Sequence, residues 1–230
     1  MELMKTFFYL SFLAISLAPA SRGTTLQLVS SAATTTNNSG NATVDITKNP
    51  AWASPLAGSS WVSTASTGNP SAPGYVVFPN GTNILFAQSF FLDGLVDSAS
   101  LSVLADDTAS VFVNGTQIFA ASTGPSNISC AGTAIGCLTS TTKTFGKADL
   151  TPYLNIGAAN TIQFRVFQIA GSSFGLDYAG QITTLSGSDQ ISATTPEPGT
   201  LALLGIAFGG LAVWRLGLSK TAKAKHLSFN

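Results

Sequence analysis

The chain has 230 residues with 10 basic and 10 acidic groups; 9% of its residues are charged and 45% are hydrophobic. Globular chains usually carry about 25% charged residues, so this one is poor in charge and rich in Thr, Ser, Ala, Gly and Asn. Between Ser21 and Pro198 five bases (Arg22, Lys48, Lys143, Lys147, Arg165) stand against nine acids, a net charge of −4. A mildly acidic body without basic clusters argues against a nucleic-acid partner, whose phosphates are held mainly by Lys and Arg.

Residues 1–20 read as a signal peptide. Lys5 supplies the positive start, and residues 7–17 form an apolar run broken only by Ser11 and Ser16. Ala18 and Ala20 place small side chains where signal peptidase needs them. The run is about 11 residues, against the roughly 20 of a spanning helix. Cleavage after Ala20 is expected, with an uncleaved N-terminal anchor as the alternative.

Residues 21–48 form an N-terminal segment that is only partly extended. One short strand is expected at 26–29, and Thr34-Thr35-Thr36-Asn37-Asn38-Ser39-Gly40 reads as loop. Residues 42–47 alternate around Val44 and Ile46. Residues 83–91 put Ile84, Phe86, Gln88 and Phe90 on one face, and Leu101 and Val103 share a face of the next run. Val111 and Val113 precede Asn114-Gly115, a dipeptide that tolerates positive φ and marks a hairpin between 109–113 and 116–120. Residues 161–169 alternate through Ile162, Phe164 and Val166, and 174–184 close the set. No 11-residue stretch has helical periodicity. Seven or more short strands between Gly, Asn and Pro turns predict an all-β chain with a single β-sandwich over residues 49–185. A flexible linker follows at 186–195.

Residues 196–225 begin with Pro196-Glu197-Pro198, continue as an apolar stretch at about 200–218, and end with Lys220, Lys223 and Lys225. About 19 residues at 1.5 Å each just cross a hydrocarbon core of about 30 Å, which predicts a transmembrane helix. The bases follow the span, so the domain lies outside the cytoplasm. This order of motif, helix and basic tail resembles the PEP-CTERM sorting signal of Gram-negative bacteria. The resemblance implies a transient inner-membrane anchor and cutting near 196–198 by exosortase, a membrane cysteine protease-transpeptidase. The product would reach the cell surface or the extracellular space. Pro196, Glu197 and Pro198 are then substrate residues. The single Arg215 followed by spaced lysines departs from the clustered arginines frequent in that family, and a plain tail anchor is the alternative.

The middle of the chain also carries a resemblance. Asn49-Pro50-Ala51-Trp52 and Ser60-Trp61 open it, and Asp106-Asp107 leads into Val111-Phe112-Val113-Asn114-Gly115. Asp149-Leu150-Thr151-Pro152-Tyr153-Leu154 and Asn160-Thr161-Ile162-Gln163-Phe164 follow. Together these are similar to the galactose-binding-domain-like jelly roll found beside glycoside hydrolases. The likeness implies a jelly-roll fold, and a role that is either carbohydrate binding or purely structural.

Candidate sites are few. Cys130 and Cys137 are the only cysteines, and in an exported, oxidising setting they are expected to form a disulfide rather than remain free thiols. Asp106 and Asp107, near Asp93 and Asp97, are expected to cap a turn by bonding nearby backbone amides. A structural Ca²⁺ on Asp106 and Asp107 is the alternative, and the one cofactor the chain suggests. Trp52, Trp61, Tyr75, Tyr153 and Tyr178 are amphipathic aromatics on which sugar rings could stack, although Trp52 and Trp61 read first as core. Loops 64–74 and 121–142 are the expected places for a ligand. Asn37, Asn41, Asn80, Asn114 and Asn127 head Asn-x-Ser/Thr sequons, which reflect composition.

No catalytic residues stand out. The domain has no glutamate, since Glu2 and Glu197 lie in the terminal signals, and the only histidine, His226, follows the membrane segment. A Ser-His or Cys-His arrangement is therefore excluded. The sequence predicts a non-enzymatic protein, sorted by exosortase after signal peptidase, that binds extracellular polysaccharide. The rival readings are a structural surface or biofilm protein without a ligand, a Ca²⁺-dependent adhesin, and an enzyme acting on glycans through Asp carboxylates.

Overall fold

The computed structural model describes residues 23–124, 130 and 135–185. The signal peptide with Ala18 and Ala20, the linker, and the tail with Pro196, Glu197 and Pro198 lie outside the described residues, as does the expected membrane helix.

Among the described residues eleven strands form two antiparallel sheets. The first is built on β6 (Val96–Asp106) and β11 (Gly175–Thr184), with β9 (Lys143–Gly146) beside β6. On its other side β11 carries β1 (Thr25–Val29) along one half and β4 (Val62–Ser63) near its start, and β3 (Val44–Asp45) follows β4. The second sheet runs β2 (Thr36–Asn37), β5 (Asn83–Leu92), β10 (Ala158–Phe167), β7 (Thr108–Val113), β8 (Thr116–Phe119). The product is a jelly-roll β-sandwich. The only α-helix among the described residues is one turn, Lys147–Leu150.

Alternation builds the core, because successive side chains of a strand point to opposite faces. Phe86, Gln88, Phe90 and Leu92 of β5 point inward to meet Leu101, Val103 and Ala105 of β6 and Ile162, Phe164 and Val166 of β10. Gln88 can be buried because its Oε1 accepts a hydrogen bond from the Tyr178 hydroxyl (3.0 Å), which also meets Thr35 Oγ1 at 2.9 Å. The Tyr178 ring stacks on Phe164, with centroids 4.4 Å apart.

The β7–β8 turn takes the expected conformation, with Asn114 at φ 50° and Gly115 at φ 80°. Asn114 does further work: its Oδ1 accepts the Thr161 amide (2.8 Å), and its Nδ2 donates to the Tyr153 carbonyl and to Asn160 Oδ1. The amide of this sequon is thus committed to the fold.

Two expectations need correction. The sandwich starts at Thr25 and not at residue 49, because β1 pairs with β11 over five residues and closes one sheet. The alternating run 42–47 shrinks to Val44–Asp45, with Val44 exposed. Its neighbour Ile46 instead donates its amide to the Trp61 carbonyl and packs beside Trp52 and Trp61.

The ladders define two ends of the sandwich. At the proximal end, Val96 pairs with Thr184, Leu92 with Ala158 and Thr25 with Thr183, so both chain termini of the sandwich emerge there. At the distal end, Asp106 pairs with Gly175 and Phe167 with Asn83 and Thr108. The length of β6 separates the ends by about 33 Å at ~3.3 Å per residue.

Candidate functional site

Leu101, Val103 and Ala105 of β6 face the sandwich core, so Leu104 and Asp106 point out of the first sheet. They are buried nonetheless. A second apolar cluster of Trp52, Trp61, Leu104, Cys130 and Cys137 covers that face at the distal end. Cys130 and Cys137 form a disulfide, with Cα atoms 5.0 Å apart. The loop it closes is tied to β6 by the Ala105 amide, which donates to the Gly136 carbonyl (3.0 Å). Gly175 lets Trp52 settle on β11: a Cβ there would stand 3.0 Å from the Trp52 ring.

Trp52 and Trp61 therefore do not form a sugar platform. They are 5% and 1% exposed, lie 4.4 Å apart centroid to centroid, and the Trp61 indole N–H donates to the Ala53 carbonyl. Both rings spend their faces on packing. Tyr178 is in the core. Tyr153 is 37% exposed at the proximal end, and Tyr75 is half-buried in the loop that joins β11's start through Val76–Ser66 and Phe174–Thr67 backbone bonds. The fold thus places Tyr75 and Tyr153 at opposite ends.

Asp106 and Asp107, joined by a cis peptide bond, are both buried, and their carboxyl groups hydrogen-bond to each other. The turn-capping expectation is corrected. Asp107 Oδ2 accepts the amide of Ile169 at 2.6 Å, a partner 62 residues away just past β10. Its carboxylate thereby ties β7's start to β10's end. Asp106 Oδ1 lies 2.7 Å from Cys130 Sγ. A disulfide sulfur has no proton to give, so a hydrogen bond in this contact requires the proton to be on Asp106.

The electrostatics agree. Burial, then the hydrogen bond and the charge of Asp107, pushes the Asp106 carboxyl up to about 9, while the Trp52 side chain pulls the other way. Burial also raises Asp107, opposed by its bonds to Asp106 and to the Ile169 amide. Two buried carboxyls this close cannot both ionise cheaply, so the pair holds a proton at neutral pH.

Above the pair opens a polar pocket of about 160 Å³, lined by Asn49, Trp52, Asp106, Asp107, Leu138 and Ser172 among others. Asn49 is fixed in place: its Oδ1 accepts the Ala51 amide and its Nδ2 donates to Ser173 Oγ, both at 2.9 Å. Two buried polar atoms near this site, Thr108 Oγ1 and Gln168 Oε1, have no hydrogen-bond partner among the described residues. Of the expected ligand loops, 121–142 reaches the pocket through Cys130, Cys137 and Leu138, whereas 64–74 does not line it.

As a Ca²⁺ cage the site is thin. Ca²⁺ takes six to eight oxygens. Among the described residues the acidic and thiol groups gathered here are Asp106, Asp107 and the two cysteines, and the disulfide consumes the cysteines.

Sequence reading missed Asp177. Fully buried, it accepts from Ser30 Oγ (2.9 Å), Ser59 Oγ (2.5 Å) and the Leu56 amide (2.8 Å). It knits β1, the 56–60 loop and β11 together. No local signal marks it, because its partners lie more than 110 residues away.

Fold and site together define a jelly-roll β-sandwich domain with a polar pocket at the end remote from its termini. Residues 194–216 match the PEP-CTERM protein-sorting motif. The chain accordingly carries the sorting signal of an exported protein, transiently anchored in the membrane, with an exosortase as its processing partner. No curated protein sequence matches it. Among solved structures it is similar to an α-L-rhamnosidase of Streptomyces avermitilis complexed with L-rhamnose (20% identity, TM-score 0.41), covering 66% of this chain but only 13% of the rhamnosidase. It is also similar to a family 35 carbohydrate-binding module of Clostridium thermocellum (16% identity, TM-score 0.35), covering 68% of this chain and 97% of the module. These are likenesses of fold.

Proposed function

We propose that this protein is a non-enzymatic carbohydrate-binding domain, displayed at the cell surface or in the extracellular matrix, that holds exopolysaccharide at its distal pocket. The observation that carries the reading is the pocket's place and lining. Asn49 and Asp107, each held by hydrogen bonds, and Ser172 line it at the end of the sandwich opposite its termini. A site there stays open to a polymer while the tail is still in the membrane. At about 160 Å³ it is smaller than the ~300–1,000 Å³ of small-molecule pockets. Such a site would hold the hydroxyl edge of a chain-end sugar rather than enclose a ligand.

The carboxyl pair supports binding over catalysis. A protonated Asp106 hydrogen-bonded to Asp107, which in turn accepts the Ile169 amide, is committed to the fold. The test is binding of the exported chain to native exopolysaccharide and to a glycan array, with and without Ca²⁺. Saturable binding that weakens in Asn49→Ala supports the reading. Absence of binding in both conditions leaves a structural matrix protein.

A further inference from the structure

Seven large hydrophobic side chains are exposed among the described residues: Val44, Val76, Val77, Phe91, Leu95, Tyr153 and Ile156. Four of the seven belong to the proximal end. Phe91 (60% exposed) ends β5 beside Leu92, and Leu95 (48%) sits in the turn to β6. Ile156 (41%) and Tyr153 lie in the segment leading to β10, tied to β5 by the Gly157 amide on the Leu92 carbonyl. The chain leaves the sandwich at the same place, where the Leu185 amide donates to the Leu95 carbonyl (2.7 Å) and the Thr184 amide to the Thr24 carbonyl (2.9 Å).

We propose that this end is a membrane-docking face. While the chain is anchored, Phe91, Leu95 and Ile156 rest in the interfacial layer of the bilayer and hold the sandwich with its distal pocket outward. The inference rests on the transient anchoring and is independent of what the pocket binds. Three observations select a lipid surface. First, the chain from Leu185 to Leu201, where the apolar tail begins, spans at most about 55 Å when fully extended. The tether therefore keeps the sandwich within about 55 Å of lipid and is attached at this end, so a weak contact suffices at the effective concentration the tether provides. Second, the exposed groups are of the kind that settle at an interface, an aromatic ring and aliphatic chains, with Lys147 at the rim donating to the Asp97 carbonyl (2.7 Å). Third, the acids of this end are largely occupied: Asp93 accepts from Thr24 and Thr184 hydroxyls, and Asp149 from the Gly146 amide. With exposed Asp97 these carboxylates make the rim acidic, so the contact rests on the apolar side chains and does not draw on anionic lipid.

The test uses the full chain reconstituted through its own tail into phosphatidylcholine vesicles containing a headgroup-region nitroxide lipid. A fluorophore is placed at Leu95→Cys or, as the distal control, at Ser71→Cys. The label at 95 is expected to be quenched several-fold more than the label at 71. Adding Phe91→Ser and Ile156→Ser, both at exposed positions, should erase the difference while leaving the melting temperature unchanged. Equal quenching at the two positions overturns the proposal. So does protection of the label at 95 from aqueous iodide that rises with protein concentration, which would assign the face to a second copy of the chain.

Discussion

Val96 and Asp106 stand at the two ends of one strand, Val96 opposite Thr184 where the chain leaves the sandwich and Asp106 opposite Gly175 beneath the polar pocket. A single ladder therefore separates the membrane-tethered end of the domain from its candidate binding end. Core packing makes that ladder rigid, and the Trp52–Trp61 cluster with the Cys130–Cys137 disulfide holds the distal end closed.

The Asp106–Asp107 pair makes stability depend on pH. Both carboxyls are raised from their ordinary 3.8, so the folded chain binds protons that the unfolded chain releases. Their contribution is complete below about 3.8 and is lost as pH rises through the folded value, about 9 for Asp106. Buried Asp177, also raised by burial, acts with the same sign. The melting temperature is expected to fall between about pH 5 and about pH 9. Asp106→Asn, which cannot ionise, should flatten the fall, by roughly 4 °C or more at the alkaline end. Thermal unfolding across that range checks this, and an unchanged slope in the variant would contradict it.

Asp177→Ala strands the Leu56 amide and removes an acceptor from Ser30 and Ser59. A loss of about 3 kcal/mol or more is expected in denaturant unfolding, since each buried polar group left unpaired costs about 1–3 kcal/mol. Asp177→Asn keeps one acceptor oxygen and should lose less.

Reducing the disulfide releases a short loop. The chain-entropy relation gives about 2.5 kcal/mol for a loop of this size, or roughly 5–10 °C in melting temperature. Scans with and without reductant measure it. Cys137→Ser should match the reduced protein and no longer respond to reductant.

Ca²⁺ is expected to leave the melting temperature unchanged, because a bound proton lowers the charge of the carboxyl pair and the pair supplies few of the oxygens the ion needs. A rise with Ca²⁺ that chelator reverses would replace the shared proton with a cation.

Much of the architecture was legible because strand periodicity is local. The faces of β5, β6 and β10 follow from alternation, and the β7–β8 turn follows from Asn114-Gly115. What escaped is long-range. The strand at 26–29 shows locally, but its pairing does not, because its partner β11 is some 150 residues away. Asp106 and Asp107 look like turn residues because they adjoin in sequence, yet their partners are Ile169 and the disulfide. Trp52 and Trp61 could be assigned to packing by type. Only the fold shows that they pack outside the main core, over the outward face of β6, where Trp52 walls the pocket.

The most direct test of the central claim is a binding isotherm of native exopolysaccharide on the exported chain, compared with Asn49→Ala and Asp107→Asn. The account predicts saturable binding by the parent chain and at least about tenfold weaker binding by each variant, the cost of roughly one lost hydrogen bond to the ligand. Binding that is equally tight in all three would place the site elsewhere, and no saturable binding by the parent would contradict the claim outright.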